Sequence, residues 1–345
     1  MKAIMKIKAV PGLEMHEIDK PCPQQGEVIV KVDSTGICGS DIHIYEWTSG
    51  YEWLEPYFPT VLGHEFSGTV EEAGEGVDNS LLGKRVVCMP GKPCFVCNAC
   101  SIGQHNLCQN RRTIGLHNYG SFTNYVSVPL YNCFVLDDNT NLETAALAEP
   151  LAVAANAVEL AGIKAGETVA VLGPGPIGLL CAFLARKSGA TSVILTGTNV
   201  DRYRLELGKK MGADVLVNVE ETDPVALALE KTGQLGVDHV FEASGSPHAL
   251  KQGIKMMKSR AGLVLVGIHS VPVQLDMNEL VRKEKRLIGA YGSSAKTWQR
   301  VTHILAESGK QLEALITHRV SLEEGIEGFR IAKDPKAAKV IIKSS

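Results

Sequence analysis

The chain has 345 residues, 45% of them hydrophobic and 21% charged, with a formal net charge of −3. That length and apolar content suffice for two buried cores, and the near-balanced charge gives no field that would draw nucleic acid. The longest apolar stretch, residues 168–185, carries Pro174 and Pro176 among glycines, which excludes a membrane helix, and the first residues hold no apolar run before Lys8, which argues against export and for the cytoplasm.

The pattern of the first 33 residues is β. Glu27-Val28-Ile29-Val30-Lys31-Val32 is rich in β-branched residues, with Pro11-Gly12 and Gln24-Gln25-Gly26 as punctuation, and reads as an antiparallel, barrel-like start. Gly36-Ile37-Cys38-Gly39-Ser40-Asp41-Ile42-His43 follows, completed by Gly63-His64-Glu65. A Cys, a His and a Glu supply soft, borderline and hard donors, a set that suits a tetrahedral Zn²⁺ with one position left open for chemistry. The plainer alternative is a buried Cys and a core His that never meet. Tyr45, Trp47, Tyr51, Trp53, Tyr57 and Phe58 lie between the Cys and the His-Glu, either as the wall of a substrate pocket or as core.

Cys94-Phe95-Val96-Cys97-Asn98-Ala99-Cys100, followed by Cys108, packs four thiols into a short polar loop. That spacing matches a closed four-cysteine structural zinc, which folds a lobe with little core of its own. An iron–sulfur site shares the spacing of the first three cysteines but calls for a Cys-Pro that is missing. Nine cysteines in a chain of this length without an export signal point to metal rather than disulfides; Cys22, Cys88, Cys133 and Cys181 read as structural. Gly120 through Val128 gives a further strand pattern. Glu149, in the apolar run Ala148-Glu149-Pro150-Leu151, either caps the next helix or reaches a metal, and its place before proline favours the cap.

From Gly166 the pattern changes to alternating strand and helix. The strand Thr168-Val169-Ala170-Val171-Leu172 runs into Gly173-Pro174-Gly175-Pro176-Ile177-Gly178 and an apolar helix, and a second strand, Ser192 to Thr196, follows one helix later. This is the context a dinucleotide fingerprint requires: glycines admit the pyrophosphate to the backbone, and the helix N-terminus offers it free N–H groups. Strands at 237–245, 262–267 and 286–291 extend a doubly wound parallel sheet. Arg282-Lys283-Glu284-Lys285-Arg286 reads as a solvated segment. A helix from about Thr297 places Trp298, Val301 and Leu305 on one face and stops near Gly309; Lys339-Val340-Ile341-Ile342-Lys343 is a last strand, expected to return to the N-terminal domain.

Taken together, G-I-C-G-S-D-I-H, G-H-E, the four-cysteine loop, A-E-P-L-A and G-P-G-P-I-G resemble, over almost the whole chain, the zinc-dependent medium-chain dehydrogenase/reductase family. Within it, His43-Ile44-Tyr45-Glu46-Trp47 and Tyr203-Arg204-Leu205-Glu206-Leu207 are similar to the L-threonine dehydrogenases, while Ala148-Glu149-Pro150-Leu151 and Ser293-Ser294-Ala295-Lys296-Thr297-Trp298 are similar to the sorbitol-type polyol and polyol-phosphate branch. The resemblance implies an α/β protein: a GroES-like β-barrel catalytic domain from residues 1–152 and 293–345, with the structural-zinc lobe at about 90–110, and a Rossmann doubly wound parallel sheet from 153–292. It implies two zinc ions per chain and NAD or NADP. Cys38 and His64 become catalytic-zinc ligands, with Glu65 completing the set and Glu149 facing the metal, which replaces the cap reading. Cys94, Cys97, Cys100 and Cys108 hold the structural zinc. Ser40 takes the proton of the substrate alcohol and His43 relays it by way of the cofactor ribose; Asp41 supports. Zinc lowers the pKa of the bound alcohol, and the cofactor does the hydride chemistry in a cleft between the domains.

For the cofactor, the resemblance assigns Gly173, Gly175, Pro176, Ile177, Gly178, Gly197, Thr198 and Arg202. One departure stands out: the acid that reads the ribose 2′-hydroxyl in NAD-preferring members is Gly197 here, with Arg202 and Arg204 nearby, so NADP is expected to be tolerated beside NAD. The expected substrate is a polyol or polyol phosphate, with L-threonine-like amino alcohols as the alternative and a non-catalytic protein of the same fold as the remote one. Tyr45, Trp47, Tyr119 and Trp298 are candidates for shaping its pocket. No nucleic acid or membrane partner is expected, and the resemblance implies a homotetramer, or a homodimer joined through the cofactor domains.

Overall fold

In the first part of the chain the strands are Lys2–Lys6 (β1), Glu14–Glu17 (β2), Glu27–Gly36 (β3), Thr60–Val61 (β4), Glu65–Ala73 (β5), Arg85–Cys88 (β6), Gly91–Lys92 (β7), Arg112–Thr113 (β8), Tyr125–Pro129 (β9) and Cys133–Val135 (β10). The helices among them are Gly39–Glu46 (α1), Asn98–Ser101 (α2), Leu142–Ala145 (α3) and Ala148–Ala161 (α4). The structure is a computed structural model that describes residues 1–344. By their contacts the residues divide into two units, Met1–Ala152 with Ser293–Ser345, and Val153–Gly292.

The first unit is built on β3, which pairs antiparallel with both β5 and β9. Its alternation puts Val28, Val30 and Val32 into one core with Phe66 and Val70 of β5 and Val126 and Val128 of β9, each fully buried side chain stabilising by about 1.5–3 kcal/mol. The strand expected over Gly120–Val128 begins only at Tyr125. Before it, the N–H groups of Gly120, Ser121 and Phe122 bond the carbonyls of Val61, Gly63 and Leu62, so this stretch packs as a loop on the segment that carries His64.

In the second unit six strands pair in parallel: Thr168–Leu172 (β11), Ser192–Gly197 (β12), Val215–Asn218 (β13), Val237–Glu242 (β14), Met257–Leu265 (β15) and Arg286–Gly289 (β16), in the order β13-β12-β11-β14-β15-β16. That order is the doubly wound one, with its reversal between β11 and β14, where such sheets bind ligands at the carboxyl ends of their strands. The connecting helices are Pro176–Lys187 (α5), Arg202–Lys210 (α6), Pro224–Lys231 (α7), Pro247–Met256 (α8) and Asn278–Val281 (α9). In α5 every residue from Gly178 to Ala185 is buried, which explains an apolar run that is helical yet too short to span a membrane; no helix among the described residues is long and apolar enough to do so. In the basic run 282–286 four residues are exposed, but Lys285 is buried and donates to the Ile254 carbonyl.

The chain then returns to the first unit through Ala295–Leu312 (α10), Ile316–Ser321 (β17), Gly325–Ala332 (α11) and Lys339–Lys343 (β18). Helix α10 does not stop near Gly309. It continues to Leu312, because Trp298, Val301, Leu305, Ser308 and Leu312 keep one face buried through the glycine. Strand β18 lies parallel to β17 and antiparallel to β3, opposite Ser34, Thr35 and Gly36, so the last strand is a neighbour of the Cys38 segment.

Candidate active site

Cys38 stands at the start of α1, immediately beyond β3, in extended conformation. Its N–H donates to Asp41 Oδ2 at 3.0 Å, which fixes the turn that carries the thiol. Glu65 opens β5 opposite Gly36. A Cβ on Gly36 would lie 2.3 Å from Glu65 Oε2, so a glycine is what leaves room for this carboxylate. The donor atoms of Cys38, His64 and Glu65 all lie within 4.8 Å of one another, and His64 and Glu65 are buried.

His64 Nδ1 faces Asp41 Oδ1 at 3.5 Å, and both atoms are enclosed without a hydrogen-bond partner; Nε2 lies 3.5 Å from Ser40 Oγ. A carboxylate behind one ring nitrogen, leaving the other to meet an ion, is how proteins orient a metal-binding histidine. Burial opposes a charged His64, yet Asp41 and Cys38 outweigh it and hold the ring's pKa well above its ordinary value. Surroundings that hold a proton so firmly also favour a divalent cation in its place. Soft, borderline and hard donors around one point fit a zinc site with an open position.

Sequence reasoning missed Lys339. This first residue of β18 is buried, and its ammonium donates to Glu65 Oε1 (2.9 Å), Glu65 Oε2 (2.6 Å) and the Ile37 carbonyl (3.0 Å). Burial works against its charge, but Glu65, Cys38 and Glu149 outweigh that and raise its pKa. The one available signal was a lysine opening a strand whose middle, Val340-Ile341-Ile342, is apolar.

Glu149 is not among the atoms that converge within 4.8 Å. It sits in the first turn of α4, and burial pushes its carboxyl up to about 7, with His64, Glu65, Lys339 and Arg111 the charges it feels. His43 is exposed on α1, bonded through Nδ1 to Thr48 Oγ1 at 3.1 Å and stacked on Tyr51; it touches none of the three donors directly. Of the aromatic residues, Tyr45, Tyr51, Tyr57 and Phe58 pack against the core, and Trp47 packs edge-on against Phe58. Trp298, expected at the pocket, is buried, donates to Ser293 Oγ at 2.9 Å and stacks on Phe134, so it is core.

The thiols of Cys94, Cys97, Cys100 and Cys108 also converge within 4.8 Å. Strands β7 and β8 close the base of this lobe, and its buried cluster consists of Cys97, Cys100 and Cys108, backed by Cys94 and Ala99, while Phe95, Val96, Ile102 and Leu107 are exposed. Backbone N–H groups of Val96 and Cys97 pull Cys94 down to about 6, whereas burial and the neighbouring thiols push Cys100 up to about 12. Four thiols facing one another with so little other core fit a structural metal that supplies the folding energy itself.

In the second unit Gly175 caps α5 and Pro176 opens it. A Cβ on Gly178 would fall 1.9 Å from the Gly173 carbonyl, the close strand–helix approach that a dinucleotide fingerprint exploits. At the end of β12, a Cβ on Gly197 would meet Pro174 and Asp201 at 2.9 and 3.1 Å, so the missing acid reflects a lack of space. Thr198 N–H and Oγ1 both donate to Asp201 Oδ2, at 3.0 and 2.8 Å. Arg202, expected to be open to a 2′-phosphate, is engaged with Asn199 Oδ1 (3.1 Å) and Glu221.

Residues 24–138 match the family described as alcohol dehydrogenase GroES-like domain, and residues 176–307 match zinc-binding dehydrogenase. The L-threonine 3-dehydrogenase of Saccharopolyspora erythraea is 36% identical over 346 residues, 99% of this chain and 98% of that protein. The sorbitol dehydrogenase of Halalkalibacterium halodurans is 35% identical over 345 residues, 99% of each. The crystal structure of 2R,3R-butanediol dehydrogenase from Bacillus subtilis superposes with a TM-score of 0.91 at 32% identity, covering 100% of this chain and 99% of that one. With a GroES-like first unit and a Rossmann-type second, the chain belongs to the zinc-binding alcohol dehydrogenase family and is an oxidoreductase with zinc and a nicotinamide dinucleotide as its cofactors.

Proposed function

We propose that the chain oxidises a secondary alcohol of a polyol or polyol phosphate, of the sorbitol or arabitol kind, with NAD or NADP. The convergence of Cys38, His64 and Glu65 within 4.8 Å, beside a serine hydroxyl, carries the alcohol oxidation, and the 35% identity to a sorbitol dehydrogenase supports a polyol as its substrate. When bound there, zinc would supply Lewis acidity toward the substrate hydroxyl, and the dinucleotide would supply the hydride acceptor. Cys38 and His64 hold the metal. Glu65, kept in place by Lys339 on both oxygens, is the steady third donor, and Glu149, which lies outside the tight cluster, is the exchanging one. Ser40 would accept the proton of the substrate hydroxyl while giving its own, by way of the cofactor ribose, toward exposed His43 one turn along α1, which releases it to water. Cys94, Cys97, Cys100 and Cys108 hold a second, structural zinc. Gly173, Gly175, Pro176, Ile177 and Gly178 cradle the pyrophosphate, with Gly197 and Thr198 at the adenosine ribose.

A second reading, oxidation of L-threonine or a similar amino alcohol, is supported by the 36% identity to an enzyme of that name and by the segment His43-Ile44-Tyr45-Glu46-Trp47. Nicotinamide absorbance over a panel of polyols, polyol phosphates and threonine decides between them: the substrate with the highest kcat/KM names the class, and no turnover of any would overturn both. We also place the protein in the cytoplasm as a homodimer or homotetramer. What supports assembly is β16, an edge strand with one unpaired side, together with exposed Ile268, Val271, Met277 and Val281.

A further inference from the structure

We propose that this protein selects NAD over NADP through Glu220 and Glu221, on the loop after β13, and that Glu221 does so by latching Arg202. This deepens the reading of the second unit as a dinucleotide site. In a doubly wound sheet the adenosine ribose lies at the carboxyl end of the second strand, where an acid in that strand normally reads the 2′-hydroxyl. Here that position is Gly197, which has no room for a side chain. The neighbouring strand supplies acids instead.

Strand β13 runs parallel to β12 in the register Gly197↔Asn218, and the Val219 N–H donates to the Gly197 carbonyl at 2.9 Å, so the loop 219–222 begins level with the end of β12. Side-chain contacts tie the two loops together. Asn218 Nδ2 donates to Asn199 Oδ1 at 2.8 Å, the Asn199 N–H donates to Glu220 Oε2 at 3.1 Å, and Arg202 Nη2 donates to Asn199 Oδ1 at 3.1 Å and to the Glu221 carboxylate. Arg204 lies 3.6 Å from Asp201. Asp201, Glu220 and Glu221 thus outnumber Arg202 and Arg204 at the place where a 2′-phosphate would stand. Such a phosphate calls for a guanidinium fork, but the fork of Arg202 is already on a carboxylate. To use it, the phosphate must displace Glu221 and still face Glu220. A bare 2′-hydroxyl meets neither obstacle.

The test is calorimetric titration of the full chain with adenosine 5′-monophosphate and with adenosine 2′,5′-bisphosphate. Arg202 and Glu221 are 68% and 55% exposed, so substitutions there leave the core intact. The unmodified protein is expected to bind the monophosphate more tightly. Glu220→Gln with Glu221→Gln should tighten the bisphosphate roughly fivefold to tenfold, the scale of exposed charge contacts acting on a dianion, and leave the monophosphate within about twofold. Adding Arg202→Ala should abolish the gain. An unmodified protein that already prefers the bisphosphate, no gain in the double variant, an equal gain for both nucleotides, or a gain that survives Arg202→Ala would each overturn the proposal. If the unmodified protein bound neither nucleotide, the dinucleotide reading of this unit would fall, and the proposal with it.

Discussion

Replacing Lys339 by methionine keeps the length and apolar stem of the side chain and removes only its charge. In the structure that charge is 3% exposed and that of its partner Glu65 1%, and the ammonium bonds both Glu65 oxygens and the Ile37 carbonyl. Without the metal the substitution therefore strands a buried carboxylate, a change that costs about 3–5 kcal/mol, so the melting measurement is made on chelated protein. For a unit of some two hundred residues each kcal/mol lowers the melting temperature by about 2–4 °C, so Lys339→Met should lower that of the first unit by at least about 6 °C in a differential scanning experiment. Zinc per chain, measured in parallel before chelation, should fall toward one, since Glu65 no longer has a fixed orientation. Lys339→Met combined with Glu65→Gln, which removes the stranded charge, should recover more than half of the lost stability. A fall of less than about 2 °C for the single variant, or a double variant no better than the single, would refute the view that this pair holds the metal site together.

The intact protein should contain two zinc ions, with Cys38→Ser or His64→Ala losing one of them and nearly all turnover while the circular dichroism persists, and Cys100→Ser damaging the lobe and its thermal stability; one zinc in the intact protein, or iron in the lobe, contradicts this. Light scattering at micromolar concentration should give a multiple of the 37.1 kDa chain mass, and a value near the single chain would reject the proposed assembly. Asp238 accepts from Thr168 N–H and Oγ1 at 2.9 and 2.8 Å and pairs with Lys258; burial alone would raise its pKa, but these contacts outweigh it and lower the value. Its contribution to stability is then complete above the ordinary carboxylate range and disappears as pH falls through the lowered value. Asp238→Asn should accordingly lower the urea midpoint at pH 7, and the gap to the unmodified protein should close below about pH 4; a gap independent of pH would show that the contact is not ionic.

What could be read in the sequence was whatever depends on neighbours along the chain. Cys94, Cys97, Cys100 and Cys108 lie within one loop, and Gly173 to Gly178 lie within one turn between strand and helix, so spacing alone carried both. Gly309 misled because intrinsic helix propensity is local, whereas the buried face of α10 from Trp298 to Leu312 is a property of packing. The stretch 120–124 has strand composition, yet the N–H groups of Gly120, Ser121 and Phe122 bond the Val61–Gly63 segment instead of extending β9. Lys339 and Glu221 were hidden for a different reason. Each is brought to its partner by strand pairing, Lys339 by β18 on β3, whose other neighbour β5 carries Glu65, and Glu221 by β13 on β12, and no periodicity in one strand announces which residue will stand beside another strand's end. Trp298 was read as a pocket aromatic because its chemistry suits both core and pocket, and only its burial separates the two.

Lys339 lies 274 residues after Glu65, and that separation becomes a schedule when the protein is made. At about 5–20 residues per second, roughly 15 to 55 s pass between the appearance of the Cys38, His64 and Glu65 donors and that of the lysine that covers one of them. Through that interval residues 153–292, whose sheet pairings are all internal to it, have time to fold, while β3 still has an uncovered edge where β18 will lie. The arrival of β18 then brings the Lys339 ammonium onto both Glu65 oxygens, so the group that fixes this carboxylate is made long after the donor it holds.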